Sequence, residues 1–152
     1  MFGADDLYQE IIMDHNRSPR NYGSMDNPTV ELEGFNPLCG DQIKVFVLLD
    51  EDKIVDIVFD GIGCAISKSS ASIMTVELKG KTISDAQAIF DAFRLMITGK
   101  DLDDDSLDVL GDVEVLGGIT KYPARIKCAS LAWHTVNSAL TGDAISDVVT
   151  TE

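Results

Sequence analysis

The spacing of apolar residues changes along this chain, and the changes divide it into elements. Leu7, Ile11 and Ile12 fall on one face of a helix predicted over residues 5–15, with Tyr8 beside them. Residues 16–28 break that pattern with Arg17, Pro19, Arg20, Asn21, Gly23 and Pro28, a loop composition. A period of two follows. Ile43, Val45, Val47 and Leu49 share one face of a strand over 43–49. Residues 54–59 are rich in β-branched side chains and predict a second strand. A polar Asp50-Glu51-Asp52-Lys53 hairpin joins the two. A short run at 30–34 predicts an edge strand.

Helical spacing then returns. Ile66, Ile73 and Val76 set a helix over 66–78 that Gly80 ends. Ala88, Phe93, Met96 and Ile97 set another over 84–97, with Ser84 as its cap and Gly99 as punctuation. Residues 101–118 are acidic and mixed, which predicts one short helix and a loop. The Asp101, Asp103, Asp104, Asp105 run reads as a solvated helix start, with docking of a basic partner as the alternative. Pro123 suits a first helical position, and a last helix runs to about residue 140. Strands first and helices afterwards predict an α+β fold, a small three-stranded antiparallel sheet with helices on one face, in a single domain over 1–152.

Bulk properties narrow the function. The apolar fraction is 45%, and no run approaches the roughly 20 apolar residues of a membrane span. Residues 1–20 are charged and amphipathic, without the apolar centre of a secretion signal, so a cytoplasmic protein is expected. A net charge of −14 would repel nucleic acid and anionic membranes, and would attract a protein with a basic rim. Simple solubility also accounts for most of that acidity.

Cys39, Cys64 and Cys128 are the candidate chemistry. An odd number of thiols argues against a disulfide framework. Cys39 opens Cys39-Gly40-Asp41, where Gly40 lets thiol and carboxylate turn to one point. Cys64 follows Gly61-Ile62-Gly63 at a predicted helix start, where the free N–H groups favour thiolate. Cys128 lies early in the last helix, with Arg125 on its face and Lys127 adjacent, so the same ease of deprotonation is expected there. Three thiolates and the Asp41 carboxylate suit Zn²⁺, and thiolates equally suit an iron–sulfur cluster. The bland alternative is three unrelated core thiols. His15 and His134 read as structural, His15 capping its own helix and His134 pointing away from Cys128. Trp133 is expected in the core; Tyr8, Arg17 and Arg20 read as surface or loop anchors.

At these residues the chain resembles the U-type iron–sulfur cluster assembly family, in its zinc-binding SufU-like branch. Five segments carry the resemblance: residues 7–15, Arg20-Asn21-Tyr22-Gly23, Asn36-Pro37-Leu38-Cys39-Gly40-Asp41, the stretch 59–72 around Cys64, and the stretch 123–133 around Cys128. The resemblance implies that Cys39, Asp41, Cys64 and Cys128 share one zinc ion. It implies Cys39 as acceptor of sulfur, in persulfide form, from a pyridoxal-phosphate cysteine desulfurase, on the way to downstream iron–sulfur assembly machinery. Arg125 matches a charged residue that assists partner engagement or ligand exchange. Cluster scaffolds of the family carry a histidine where this chain has Lys127, and a Leu-Pro-Pro-Val-Lys-type chaperone site where it reads Lys121-Tyr122-Pro123-Ala124-Arg125. Their counterpart of residues 99–118 is shorter.

Four functions follow for comparison. The first is a zinc-dependent sulfur acceptor that stimulates a desulfurase and is not a free-standing enzyme. The second is a scaffold that holds a [2Fe–2S] cluster, if only transiently, on the same cysteines. The third, a zinc hydrolase or deaminase, needs an open coordination position and a nearby general base, and no Glu stands near a cysteine motif. The fourth is a purely structural zinc module.

Overall fold

A computed structural model describes residues 4–142 and 148–150. The side chains of residues 4–8 and 148–150 lie outside that description, and with them the expected Leu7 face and Tyr8 contact. In chain order the elements are α1 (Ala4–Arg17), β1 (Val30–Asn36), β2 (Asp41–Asp50), β3 (Lys53–Ile62), α2 (Ala65–Leu78), α3 (Ile83–Ile97), α4 (Asp104–Leu110), a 3-10 segment (Gly111–Lys121), α5 (Pro123–Thr141) and β4 (Val148–Thr150).

The three expected strands pair antiparallel. Val30 faces Val47 at one end of the β1–β2 ladder and Asn36 faces Asp41 at the other. β2 and β3 pair from Gln42 with Ile62 to Asp50 with Lys53, with a register shift at Leu48–Leu49. That shift takes Leu49 out of the strict alternation expected of it, and Leu49 is only partly buried. A fourth strand, which the hydrophobic pattern did not predict, adds to β1 in parallel and gives the order β3-β2-β1-β4. It is three residues long, too short for a periodic signal. The outer edge of β3 is also covered. Gly23 donates to the Phe59 carbonyl and Phe59 to that of Asn21, while Ile54 exchanges bonds with Gly80 and Lys81.

Helix ends differ from expectation in one place. Thr82, not Ser84, caps α3, because its backbone is still extended (φ −73°, ψ 160°) and its Oγ1 accepts from Asp85 N. Ser84 lies inside the first turn. The acidic run behaves as expected: the Asp103 carboxylate accepts from Ser106 N at 2.8 Å and caps α4.

α5 crosses the sheet at close range. At Gly34 of β1 an added Cβ would stand 2.1 Å from Thr135 Oγ1 and 3.0 Å from Leu131 Cδ1. Trp133 is buried, stacks on Phe93 with centroids 4.5 Å apart, and donates its Nε1–H to Ser70 Oγ at 3.0 Å. α2 meets its neighbours through serines. Ser69 Oγ donates to the Ile12 carbonyl of α1 and Ser70 Oγ to the Ala129 carbonyl of α5, both at 2.6 Å. Ser72 Oγ accepts from Arg20 N at 2.8 Å and lies 2.7 Å from His15 Nδ1. His15 therefore does not cap its own helix, as the sequence suggested; it reaches across to α2. Arg20 holds its loop by pairing with Asp14 at 2.6 Å, the anchoring role expected of it.

Two outcomes follow from this packing. Gly34→Val should cost about 1–3 kcal/mol in denaturant unfolding, by driving a side chain into Thr135. Adding Thr135→Ala should return part of that loss. Burial, and then the Arg20 charge, hold His15 below its usual 6.5. The folded state therefore prefers neutral His15, and its contribution is present above about pH 6.5 and fades as pH falls below it. The urea midpoint should drop between about pH 7.5 and about pH 5.5, and His15→Gln should flatten that drop.

Candidate metal centre

Three connections at one end of the sheet build the site. Asn36 and Asp41 face each other across the end of the β1–β2 ladder, leaving Pro37 to Gly40 as the turn. Gly40 sits at φ +71°, in the left-handed region that glycine tolerates, and its N–H closes on the Asn36 carbonyl at 2.9 Å. That turn carries Cys39 outward, where it is exposed, and lets Asp41 point inward, where it is fully buried. The second connection runs from β3 into α2. Cys64 is the N-cap of α2, and its Sγ accepts from Ser67 N at 3.5 Å. Gly63 before it is held close, since a Cβ there would stand 2.9 Å from Asp41 Oδ1. The third is the start of α5, where Pro123 opens the helix and Cys128 is buried in the second turn.

Cys39, Asp41 and Cys128 bring one ligand atom each to within 4.8 Å of one another. The Cys128 and Cys39 sulfurs are 3.2 Å apart. Tetrahedral Zn²⁺ with bonds of about 2.3 Å holds its sulfurs roughly 3.8 Å apart, so the spacing fits a common ion after a small adjustment. Asp41 Oδ1 accepts from Cys64 N at 2.9 Å and Oδ2 from Asn36 Nδ2 at 3.0 Å. Each oxygen keeps a lone pair for a metal. The Cys64 thiol stands outside the three-donor group: its backbone meets Asp41, while its sulfur is turned to the helix end.

The electrostatics correct one expectation. Cys128 was expected to deprotonate easily at the helix start. Burial instead pushes its thiol well above the usual range, and Cys39, Cys64 and Asp41 push it the same way. Negative donors crowded in a buried place repel one another until a cation joins them. Arg125 Nη1 lies 4.0 Å from Cys39 Sγ, and the surrounding sulfurs, Cys128 first, raise the pKa of its guanidinium. Lys127 was expected to ease that deprotonation of Cys128. It lines a groove between α3 and α5 with Phe93 and Ile97 instead. His134 lines the same groove and packs edge-on against Phe90, away from the sulfurs, as expected. The sequence reading passed over Asn36, whose amide touches both Asp41 and Cys128. The one available signal was a buriable amide at a strand end, two residues before the Leu38-Cys39 turn.

The model of the NifU-like N-terminal domain matches residues 7–145. The zinc-dependent sulfurtransferase SufU of Bacillus subtilis (strain 168) is 46% identical over 136 residues, covering 90% of each chain. The iron–sulfur cluster assembly scaffold protein IscU of Streptococcus pyogenes serotype M1 is 42% identical, covering 88% of this chain and 82% of its own. The crystal structure of a candidate SUF-system assembly scaffold from Fervidobacterium islandicum AW-1 superposes with a TM-score of 0.82 at 37% identity, over 91% of this chain and 99% of that one.

A site of this kind should gain stability from its ion. With free Zn²⁺ at about 100 times its Kd, linkage supplies about 2.7 kcal/mol, roughly 5–11 °C in Tm for a chain of this size. Differential scanning fluorimetry with Zn²⁺ or a chelator measures this, and Mg²⁺ should give no comparable rise, since thiolates bind it poorly.

Proposed function

Because the chain belongs to the family of NifU-like N-terminal domains, we propose that it is a zinc-dependent sulfur acceptor serving a cysteine desulfurase in iron–sulfur cluster assembly. One observation carries the reading. An exposed thiol, Cys39, stands at a turn tip directly against a buried thiol and a buried carboxylate. A structural zinc module has no need of an exposed ligand, and an acceptor does. Zinc, held by Cys39, Asp41 and Cys128 with Cys64 beside them, would supply charge that keeps the thiols deprotonated.

The chain's own residues then divide the work. Cys39 leaves the donor group and attacks the outer sulfur of a persulfide on the desulfurase. A bond forms between Cys39 Sγ and that sulfur, the S–S bond of the donor breaks, and the donor cysteine departs as thiolate. The outer sulfur keeps its proton and ends as the Cys39 persulfide, so no external oxidant or reductant is needed. Cys64, now turned to the α2 end, would rotate in to replace Cys39 among the donors. Arg125 holds the Cys39 thiolate by charge and meets the incoming partner. Among the described residues, Leu38, Ile62 and Tyr122 are the most exposed large apolar ones, and each adjoins one of the three site connections. They form the apolar part of the partner surface. Reduced thiols require a reducing compartment, so we place the reaction in the cytoplasm.

A [2Fe–2S] scaffold is the second reading, favoured by likeness to a relative described as a scaffold. Anaerobic reconstitution separates the two. The acceptor reading expects tightly held zinc and a stimulated cognate desulfurase. A stable, coloured iron–sulfide product that supplants zinc overturns it.

Cys39→Ser should abolish transfer of sulfur to this chain, read by mass spectrometry as loss of the 32 Da adduct that one sulfur atom adds. Arg125→Ala should leave zinc in place and cut desulfurase stimulation about tenfold. Normal stimulation by that variant would remove Arg125 from the mechanism.

A further inference from the structure

Asn36 has no exposed surface, and its side chain reaches into the donor group without belonging to it. Nδ2 lies 3.0 Å from Asp41 Oδ2 and 3.5 Å from Cys128 Sγ. Oδ1 accepts from Leu38 N at 3.3 Å, at the base of the turn that carries Cys39. The orientation of the amide follows from its neighbours. Leu38 N–H requires an acceptor, and a flipped amide would set an oxygen against the Asp41 carboxylate and a sulfur. One neutral group thus touches two of the donor residues and the turn that carries the third. It spans from the end of β1 to α5 across 92 residues of sequence.

We infer that Asn36 is a positioning residue that sets how tightly the donor group holds its ion and orients Asp41 and Cys128 toward it. Two N–H bonds to a carboxylate and a thiolate spread negative charge without adding any, which eases the crowding of like charges. They also fix which lone pairs face inward. Through Leu38 the same amide ties the Cys39 turn to the inner donors, so release of Cys39 is felt at the site's base. The inference rests on the zinc reading given above, and deepens it by naming a control on ion retention outside the ligand set.

The test compares wild type with Asn36→Ala and with Asn36→Thr, a strand-compatible side chain too short to reach both partners. Zinc affinity is measured by competition with a chromophoric chelator. Melting temperature is measured with and without zinc, and the thiolate-to-metal absorption band with Co²⁺ in place of zinc. The expected result is a 10–100-fold weaker Zn²⁺ affinity, a smaller zinc-induced rise in Tm, and a shifted Co²⁺ band. A merely structural role would lower both melting temperatures equally and leave the rise, the affinity and the band unmoved; that result overturns the inference and spares the zinc reading. Wild type that binds no zinc overturns both. Should Asn36→Ala fail to fold, Asn36→Thr gives the same three readouts.

Discussion

Asp41 has no exposed surface, and its two oxygens are taken from opposite sides by the Cys64 N–H at 2.9 Å and the Asn36 amide at 3.0 Å. A buried carboxylate held only by neutral donors is costly to keep, and it invites a cation. This one ties the β1–β2 turn to the β3–α2 connection, and Asn36 extends the tie to α5 through Cys128. Segments from the first, middle and last thirds of the chain meet there. The geometry around Gly63, where a Cβ would stand 2.9 Å from Asp41 Oδ1, shows how little room the arrangement leaves.

The helices behind the site are joined by polar contacts as well as by the apolar core. α2 buries Ser67, Ser69, Ser70 and Ser72. The hydroxyls of Ser69, Ser70 and Ser72 reach carbonyls on α1 and α5, the Trp133 indole and the His15 ring. Small hydroxyl side chains let helices approach closely and fix their register by direction, which a purely apolar face does not do. α2 begins at Cys64 and α5 carries Cys128. The contacts that lock these helices together therefore also fix the distance between two of the thiols.

Much of this was legible in the sequence, because the informative positions were local. Alternation over 43–49 marked β2, helical spacing marked α2 and α3, and Pro123 marked the start of α5. The Cys39-Gly40-Asp41 turn announced that thiol and carboxylate would act together, and Cys39, Asp41 and Cys128 do converge. What stayed hidden was non-local. Nothing near Cys128 reveals that burial, Cys39, Cys64 and Asp41 would oppose its ionisation, since those neighbours come from two distant turns of the chain. His15 reads as a helix-end residue until α2 brings Ser72 to it. Lys127 is next to Cys128 in sequence but lines the α3–α5 groove, because consecutive helical residues face different ways.

The covering of the sheet restricts how other molecules can be recognised. β4 lies along the outside of β1, and the Asn21–Gly23 and Gly80–Lys81 segments lie along the outside of β3. The backbone groups a visiting strand would pair with are in use along these stretches, which closes off β-augmentation there and lowers the risk of edge-to-edge self-association. Where those edges are in use, recognition falls to shape and side chains and not to strand pairing.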